Sequence, residues 1–224
     1  MGSRRKYVDI LSQKETGTMG QITTGLRAVL SHPWIYDAFQ NIMGARSVRR
    51  SFSTTFIRAY PGCRLLDIGC GTAWILEYLP GNIDYWGYDI NPKYIAAARA
   101  KFGKRGTFAC RLFEESELAG ILPFDIVIAA GLIHHLDDDT ARNVIHLARL
   151  ALRPGGRFVS FDPVFAASQN PIARFIVSRD RGQHVRDVDG YLALARHEFH
   201  LVEGMVRHRI WIPYNHWFME CKQA

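Results

Sequence analysis

Leu65-Leu66-Asp67-Ile68-Gly69-Cys70-Gly71 is an apolar run that breaks into a turn of small residues. A second apolar run, Tyr85-Trp86-Gly87-Tyr88, closes on an acid, Asp89. A strand ending in such a turn predicts backbone N–H groups at the N-terminus of a following helix, where they meet an anion or the polar end of a ligand. Glycines at 69 and 71 let the backbone come close to that ligand. A carboxylate at the tip of the neighbouring strand, about 20 residues on, is placed to accept both hydroxyls of a ribose. The pairing therefore points to a ligand containing a nucleoside.

The order of the later segments extends this reading. Phe124-Asp125-Ile126-Val127-Ile128-Ala129-Ala130 is followed by Gly131-Leu132-Ile133-His134-His135-Leu136, and then by Leu152-Arg153-Pro154-Gly155-Gly156-Arg157-Phe158-Val159. With these residues in view the chain resembles the class I S-adenosylmethionine-dependent methyltransferases, especially the small-molecule enzymes with a His-His-Leu segment after the fourth strand. The resemblance covers roughly residues 60 to 162. It implies an α/β fold: a Rossmann-like, seven-stranded, mostly parallel sheet with helices on both faces and an antiparallel last strand pair. It also implies S-adenosylmethionine as cofactor and S-adenosylhomocysteine as product. On this resemblance Asp67, Gly69, Cys70 and Gly71 surround the methionine part, Asp89 binds the ribose and Ile90 flanks the adenine. Ala130, between Ala129 and Gly131, leaves room beneath the sulfonium. The third strand departs from the family pattern, reading Cys110-Arg111-Leu112-Phe113-Glu114-Glu115 where many relatives place an acid for the adenine amino group. Either Glu114 substitutes from a shifted loop, or Leu112 and Phe113 hold the adenine by packing.

A dinucleotide site is the competing reading. It wants Gly-x-Gly-x-x-Gly, but the third glycine position falls in Trp74-Ile75-Leu76. A carboxylate at Asp67 would repel phosphates and suits the ammonium of a methionine-like moiety.

At 224 residues, with 48% hydrophobic and 22% charged residues, the chain is expected to form one globular domain with a modest elaboration. Its net charge of +7, from 28 basic and 21 acidic residues, is dispersed. That favours a solvated basic surface with some affinity for anionic small molecules, and sequence-specific nucleic-acid recognition is not expected. Cys63, Cys70, Cys110 and Cys221 show no Cys-x-x-Cys spacing, so neither a metal site nor a disulfide framework is expected. No run approaches 18 apolar residues and the basic N-terminus lacks the apolar stretch of a signal peptide, so the expectation is a cytoplasmic protein without a membrane span.

Strands are expected near 63–68, 84–89, 107–111, 125–130 and 157–162, with helices from Asn91-Pro92 through Ala100, over Thr140 to Leu152, ended by Pro154-Gly155-Gly156, and over Val188 to His197. Leu201 to Ile212 and His216 to Cys221, joined by Pro213-Tyr214-Asn215, read as the antiparallel pair. Two segments fall outside that plan: a helical cap over residues 1–60, and an insertion at 163–187 in the domain of residues 61–224. Both are expected over the strand ends, as a substrate cover that excludes water. Tyr36, among Trp34, Phe39, Phe52, Phe56 and Tyr60, is a substrate candidate, with packing of a cap on the core as the alternative. Arg179, Arg181 and His184, with Arg186, are candidates to hold a carboxylate or phosphate; a salt-bridged surface with Asp180, Asp187 and Asp189 competes. Tyr214 is a weaker substrate candidate.

Methyl transfer from a sulfonium is an in-line displacement, for which alignment and exclusion of water matter most. His134 or His135 is a candidate base, and Asp162, at the tip of the fifth strand, is a second; a structural, backbone-bonded histidine is the alternative for one of the pair. Methylation of a small molecule on oxygen, nitrogen or carbon is the first functional reading. A nucleic-acid or protein methyltransferase is a rival. Against it, no Asn-Pro-Pro-Tyr and no Pro-Cys follows the fourth strand, and the Asn-Pro pairs stand at 91 and 170. A cofactor-binding protein without turnover is the third reading.

Overall fold

The computed structural model describes residues 45–167, 169–179, 182–207 and 214–223. Its centre is a sheet of β1 (Arg64–Ile68), β2 (Asp84–Asp89), β3 (Thr107–Cys110), β4 (Phe124–Ala130), β5 (Leu152–Phe165), β7 (Leu201–Arg207) and β8 (His216–Lys222), in the order β3-β2-β1-β4-β5-β8-β7. A two-residue strand, β6 (Arg186–Asp187), pairs with the far end of β5. Strands β1 to β5 run parallel, and β8 lies antiparallel to both β5 and β7. The expected α/β architecture is thus present, with β6 as an addition.

The inner strands read as unbroken apolar runs because both faces are covered, as parallel sheets require. Along β1, Leu66 and Ile68 join one core with Val127, Phe158 and Met219, whereas Leu65 joins the other with Ile126, Ile128 and Phe218. Helix α2 (Pro92–Phe102) begins where Asn91 Oδ1 accepts the Lys93 and Tyr94 amides at 2.9 and 3.2 Å, with proline in its first turn. Helix α3 (Asp138–Ala151) starts at the Asp137 cap, two residues before the expected Thr140, and buries Ala141, Val144, Ile145 and Ala148.

Three departures bear on the site. After Gly71 the chain makes no α-helix, only a four-residue 3-10 turn, Trp74–Glu77. Ala73 enters it with φ of 55°, and Pro80-Gly81 stops any continuation before β2 begins. Strand β5 begins at Leu152 instead of near 157: Pro154-Gly155-Gly156, read as a helix stop, is absorbed into an irregularity where the register with β4 shifts between Phe124 and Ile126. Strand β7 ends at Arg207, and residues 208–213 lie outside the described residues.

Of the N-terminal cap, helix α1 (Ala45–Ser51) and the π-turn Phe52–Ile57 are described. Phe52 and Phe56 are core residues, 5.3 Å from Phe161 and 4.6 Å from Phe218 between ring centroids. Tyr60 donates to Asp125 Oδ1 at 2.6 Å, at the amino ends of the strands and away from any cover. Trp34, Tyr36 and Phe39 lie outside the described residues. The insertion does reach the carboxyl ends. It carries α4 (Pro171–Val177) and then β6 beside the end of β5, and α5 (Val188–Arg196), capped by Asp187, follows it.

Candidate active site

The strand order reverses between β1 and β4, and the crevice at their carboxyl ends is where open α/β sheets bind ligands. A cleft lies there, walled by Gly69, Cys70, Gly71 and Trp74 on one side, by Asp89, Ile90, Asn91, Tyr94, Arg111, Leu112 and Phe113 on the second, and by Ala130, Gly131, Leu132 and His135 on the third.

The glycine turn does not present free amides. The Gly69 and Cys70 N–H groups both donate to the Tyr88 carbonyl, at 2.8 and 3.0 Å, and the Gly71 N–H donates to Asp89 Oδ2 at 2.8 Å. The glycines act by shape. Gly69 has φ of 77°, and a methyl group added there would come within 3.0 Å of the Leu132 side chain. At Gly71, φ 54°, added atoms would enter open space.

Asp89 is not a helix cap, since Asn91 has that task. Its Oδ1 accepts the Asn91 amide at 2.8 Å while Oδ2 accepts Gly71, so one carboxylate ties β2 to the glycine turn. A carboxylate has about four acceptor positions, which leaves capacity on the cleft side for two hydroxyls.

Asp67 stands behind the turn instead of on the cleft wall. It is 2% exposed, and its Oδ2 accepts the buried Tyr85 hydroxyl at 2.6 Å. Burial pushes its carboxyl up to about 7, against the lowering effect of the Tyr85 hydrogen bond; Asp89 adds a smaller upward push. Its Oδ1 is buried without a hydrogen-bond partner among the described residues. Burial also raises the Cys70 thiol, so Cys70 lines the cleft as a neutral small residue.

At the third strand, Leu112 and Phe113 take the cleft wall, and Phe113 packs edge-on against Tyr88 with centroids 5.0 Å apart. Glu114 instead precedes the 3-10 turn Glu115–Leu118 and is absent from the wall. Arg111 is locked to Glu117 by two bonds of 2.8 and 2.7 Å, and Glu117 also accepts the Tyr88 hydroxyl at 3.1 Å. Hydrogen bonding from Arg111 holds the Glu117 carboxyl below its ordinary value, and burial raises the Tyr88 phenol to about 12.

The two histidines separate. His135 is on the cleft wall. His134 is 6% exposed and turns inward, where its Nδ1 lies 2.8 Å and its backbone N–H 3.2 Å from Oδ1 of the fully buried Asp162. The two imidazole rings touch, with centroids 4.0 Å apart. Among the other candidates, Arg179 is exposed with its guanidinium over the Phe175 ring at 5.1 Å. His184 donates its amide to the His134 carbonyl at 3.0 Å. Tyr214 packs on His216, centroids 4.9 Å apart. Arg181 lies outside the described residues. Trp74, Tyr94 and Asn91 line the cleft without having been singled out from the sequence. Their signal was position alone: next to the glycine turn, and in the first turn after Asp89.

Among the described residues no group of three or more histidine, cysteine or acidic side chains is placed to hold a metal, and no helix is long and apolar enough to cross a membrane.

Sheet order and cleft position match the Rossmann-like fold of methyltransferases. Residues 66–158 match the family model described as a methyltransferase domain. The match runs from β1 into β5 and makes that stretch similar to a methyltransferase domain. No curated protein matches the sequence. Among solved structures, it is similar to a possible exported protein from Bordetella parapertussis, at 15% identity over 99% of this chain and 79% of that one, with a TM-score of 0.64. The pyocyanin biosynthetic protein PhzM is 16% identical over 99% of this chain and 68% of its own, with a TM-score of 0.64. A Haemonchus contortus phosphoethanolamine N-methyltransferase 2, in complex with phosphomonomethylethanolamine and S-adenosylhomocysteine, is 16% identical over 80% of this chain and 52% of that one, with a TM-score of 0.59. Identities this low speak for the fold alone.

Proposed function

We propose that this chain binds S-adenosylmethionine in the cleft between β1, β2 and β4 and transfers its methyl group to a small-molecule acceptor, on oxygen, nitrogen or carbon. The observation that carries the reading is Asp89: a carboxylate on the cleft wall, fixed by two backbone amides, one of them from the adjoining glycine turn. The residues present fit the group. Gly71 and Gly131 leave space where a side chain would intrude, and Ile90, Leu112 and Phe113 offer an apolar slot for a purine.

In this reading Asp89 holds the ribose hydroxyls, Ile90, Leu112 and Phe113 pack on the adenine, and Ala130 and Gly131 keep the floor clear beneath the reacting methyl. The cofactor supplies a methyl group on a positively charged sulfonium. His135 is the imidazole that faces the cleft and is placed to take a proton from an acceptor hydroxyl or amine. His134 and Asp162, buried behind it, act through packing instead of touching the acceptor. An anionic acceptor fits the basic insertion: Arg179 is exposed and, among the described residues, pairs with no carboxylate.

Calorimetric titration with S-adenosylmethionine, S-adenosylhomocysteine and NAD tests the reading. Micromolar binding of the first two without the third is expected; binding of NAD alone overturns it. Release of S-adenosylhomocysteine on addition of metabolite pools then separates an enzyme from a binding protein without turnover.

A further inference from the structure

His135 sits on a 3-10 turn of three residues, Ile133–His135. So short a turn does not fix its own position, and its carbonyls need donors from elsewhere. The last stretch of the insertion supplies it. The Arg186 guanidinium, with a side chain 11% exposed, donates from Nη1 to the Ile133 carbonyl at 3.2 Å and from Nη2 to the Leu136 carbonyl at 2.8 Å, one at the start of the turn and one just beyond it. The same group donates to the His184 carbonyl at 2.9 Å and to Asp138 Oδ1, at 3.0 Å from Nε and 2.7 Å from Nη2. His184 in turn donates its amide to the His134 carbonyl. Gly182 lies so close to His134 that an added methyl would stand 2.1 Å from the ring Cδ2 and 2.6 Å from the carbonyl oxygen. Asp162 Oδ1 in turn accepts the His134 backbone N–H and lies 2.8 Å from its ring Nδ1. The insertion stretch is itself anchored, with Arg186 and Asp187 paired to Val164 and Phe165.

We infer that Gly182 and Arg186 are positioning residues: residues 182–187 form a latch that clamps the turn after β4 and thereby sets where His135, and with it Gly131 and Leu132, stand on the cleft wall. Arg186 is thus spent on backbone carbonyls instead of on a substrate anion. Its fork is matched to this, since its five N–H donors serve three carbonyls and one carboxylate that no single ammonium reaches together. The latch does not depend on the methyl-transfer reading; its effect on cofactor affinity does.

The test follows His135 directly. In 15N-labelled protein, Arg186→Gln is expected to shift or broaden the His135 imidazole and the Gly131 and Leu132 amides, with Arg186→Lys intermediate. The dissociation constant for S-adenosylhomocysteine is expected to rise about fivefold, a coupling of ordinary size between contacting segments. Arg196→Gln, on the exposed side of α5, should leave all of these unchanged. His135 signals that stay in place, or changes confined to residues 182–187, overturn the latch. Should Arg186→Gln fail to fold, Gly182→Ala is judged by the same signals, because its added methyl displaces His134 without removing a charge. Movement of His135 in a protein that binds no S-adenosylhomocysteine would uphold the latch and reject the cofactor site.

Discussion

On the β1–β2 side of the cleft, the ties that shape the wall all start from backbone amides of the two strand ends: Gly69 and Cys70 donate to the Tyr88 carbonyl, Gly71 and Asn91 to the Asp89 carboxylate. On the β4–β5 side the wall is held by side chains from far along the chain. Asp162 reaches back 28 residues to His134, and Arg186 reaches 53 and 50 residues to Ile133 and Leu136. A wall of the first kind is written in one motif. A wall of the second kind depends on the fold being complete, and its residues look like catalytic or substrate groups until their partners are known.

The largest difference between the walls should appear when their carboxylates are removed. Asp162→Ala leaves the His134 backbone and ring N–H groups buried without their acceptor, and is expected to cost about 3 kcal/mol in urea denaturation. A cost below about 1 kcal/mol would show that the second wall stands without it. Asp89→Ala should act instead on the ligand, weakening S-adenosylmethionine binding by about 1–3 kcal/mol in calorimetry, as expected for lost charge-assisted hydrogen bonds. Unchanged affinity removes Asp89 from the ribose site and dissolves the contrast.

A third measurement sharpens the comparison through pH. The Asp67 carboxyl is raised to about 7 in the folded protein from an ordinary 3.8, chiefly by burial. Below the ordinary value both states hold the proton. As pH rises from there toward 7 the unfolded chain releases it first, so the contribution of this group to stability declines across that window and is flat above it. Asp67→Asn should therefore flatten denaturation midpoints between about pH 4 and pH 7; an unaltered pH profile would break the account of Asp67 as a carboxyl confined behind the turn. Smallest of all, Arg111→Gln removes an exposed partner of Glu117 and should leave the denaturation midpoint nearly unchanged; a clear drop would show that this pair helps to hold the cleft wall.

How much was legible follows the same division. The central strands, the Asn91-Pro92 helix start and the place of Gly69, Gly71 and Asp89 beside the crevice were readable from local pattern: burial on both faces, a cap, or a turn at a strand end; Ile90, Leu112, Phe113 and Ala130 were singled out by the family resemblance, and they line the cleft. Phe52 and Phe56 were not, since whether an aromatic side chain covers a ligand or fills a core depends on the sheet beneath it. The division of labour between His134 and His135 was hidden for a related reason. Adjacent residues on a tight turn face different ways, and only Asp162 and Gly182 decide which one is drawn inside. The early start of β5 was masked by Pro154-Gly155-Gly156, whose stop signal is real for a helix yet tolerable in a strand at a bulge.

The four-residue turn that stands where a helix should follow Gly71 has a consequence for selectivity among the cell's nucleotides. A full helix aimed at the cleft would bring a positive dipole end to the methionine side; four residues in a 3-10 turn align too few peptide units for that. With the turn's own amides already engaged by Tyr88 and Asp89, little there rewards a pyrophosphate, and nothing there repels a sulfonium. On the proposed reading, so short a turn would favour a cationic adenosine ligand over phosphorylated nucleotides.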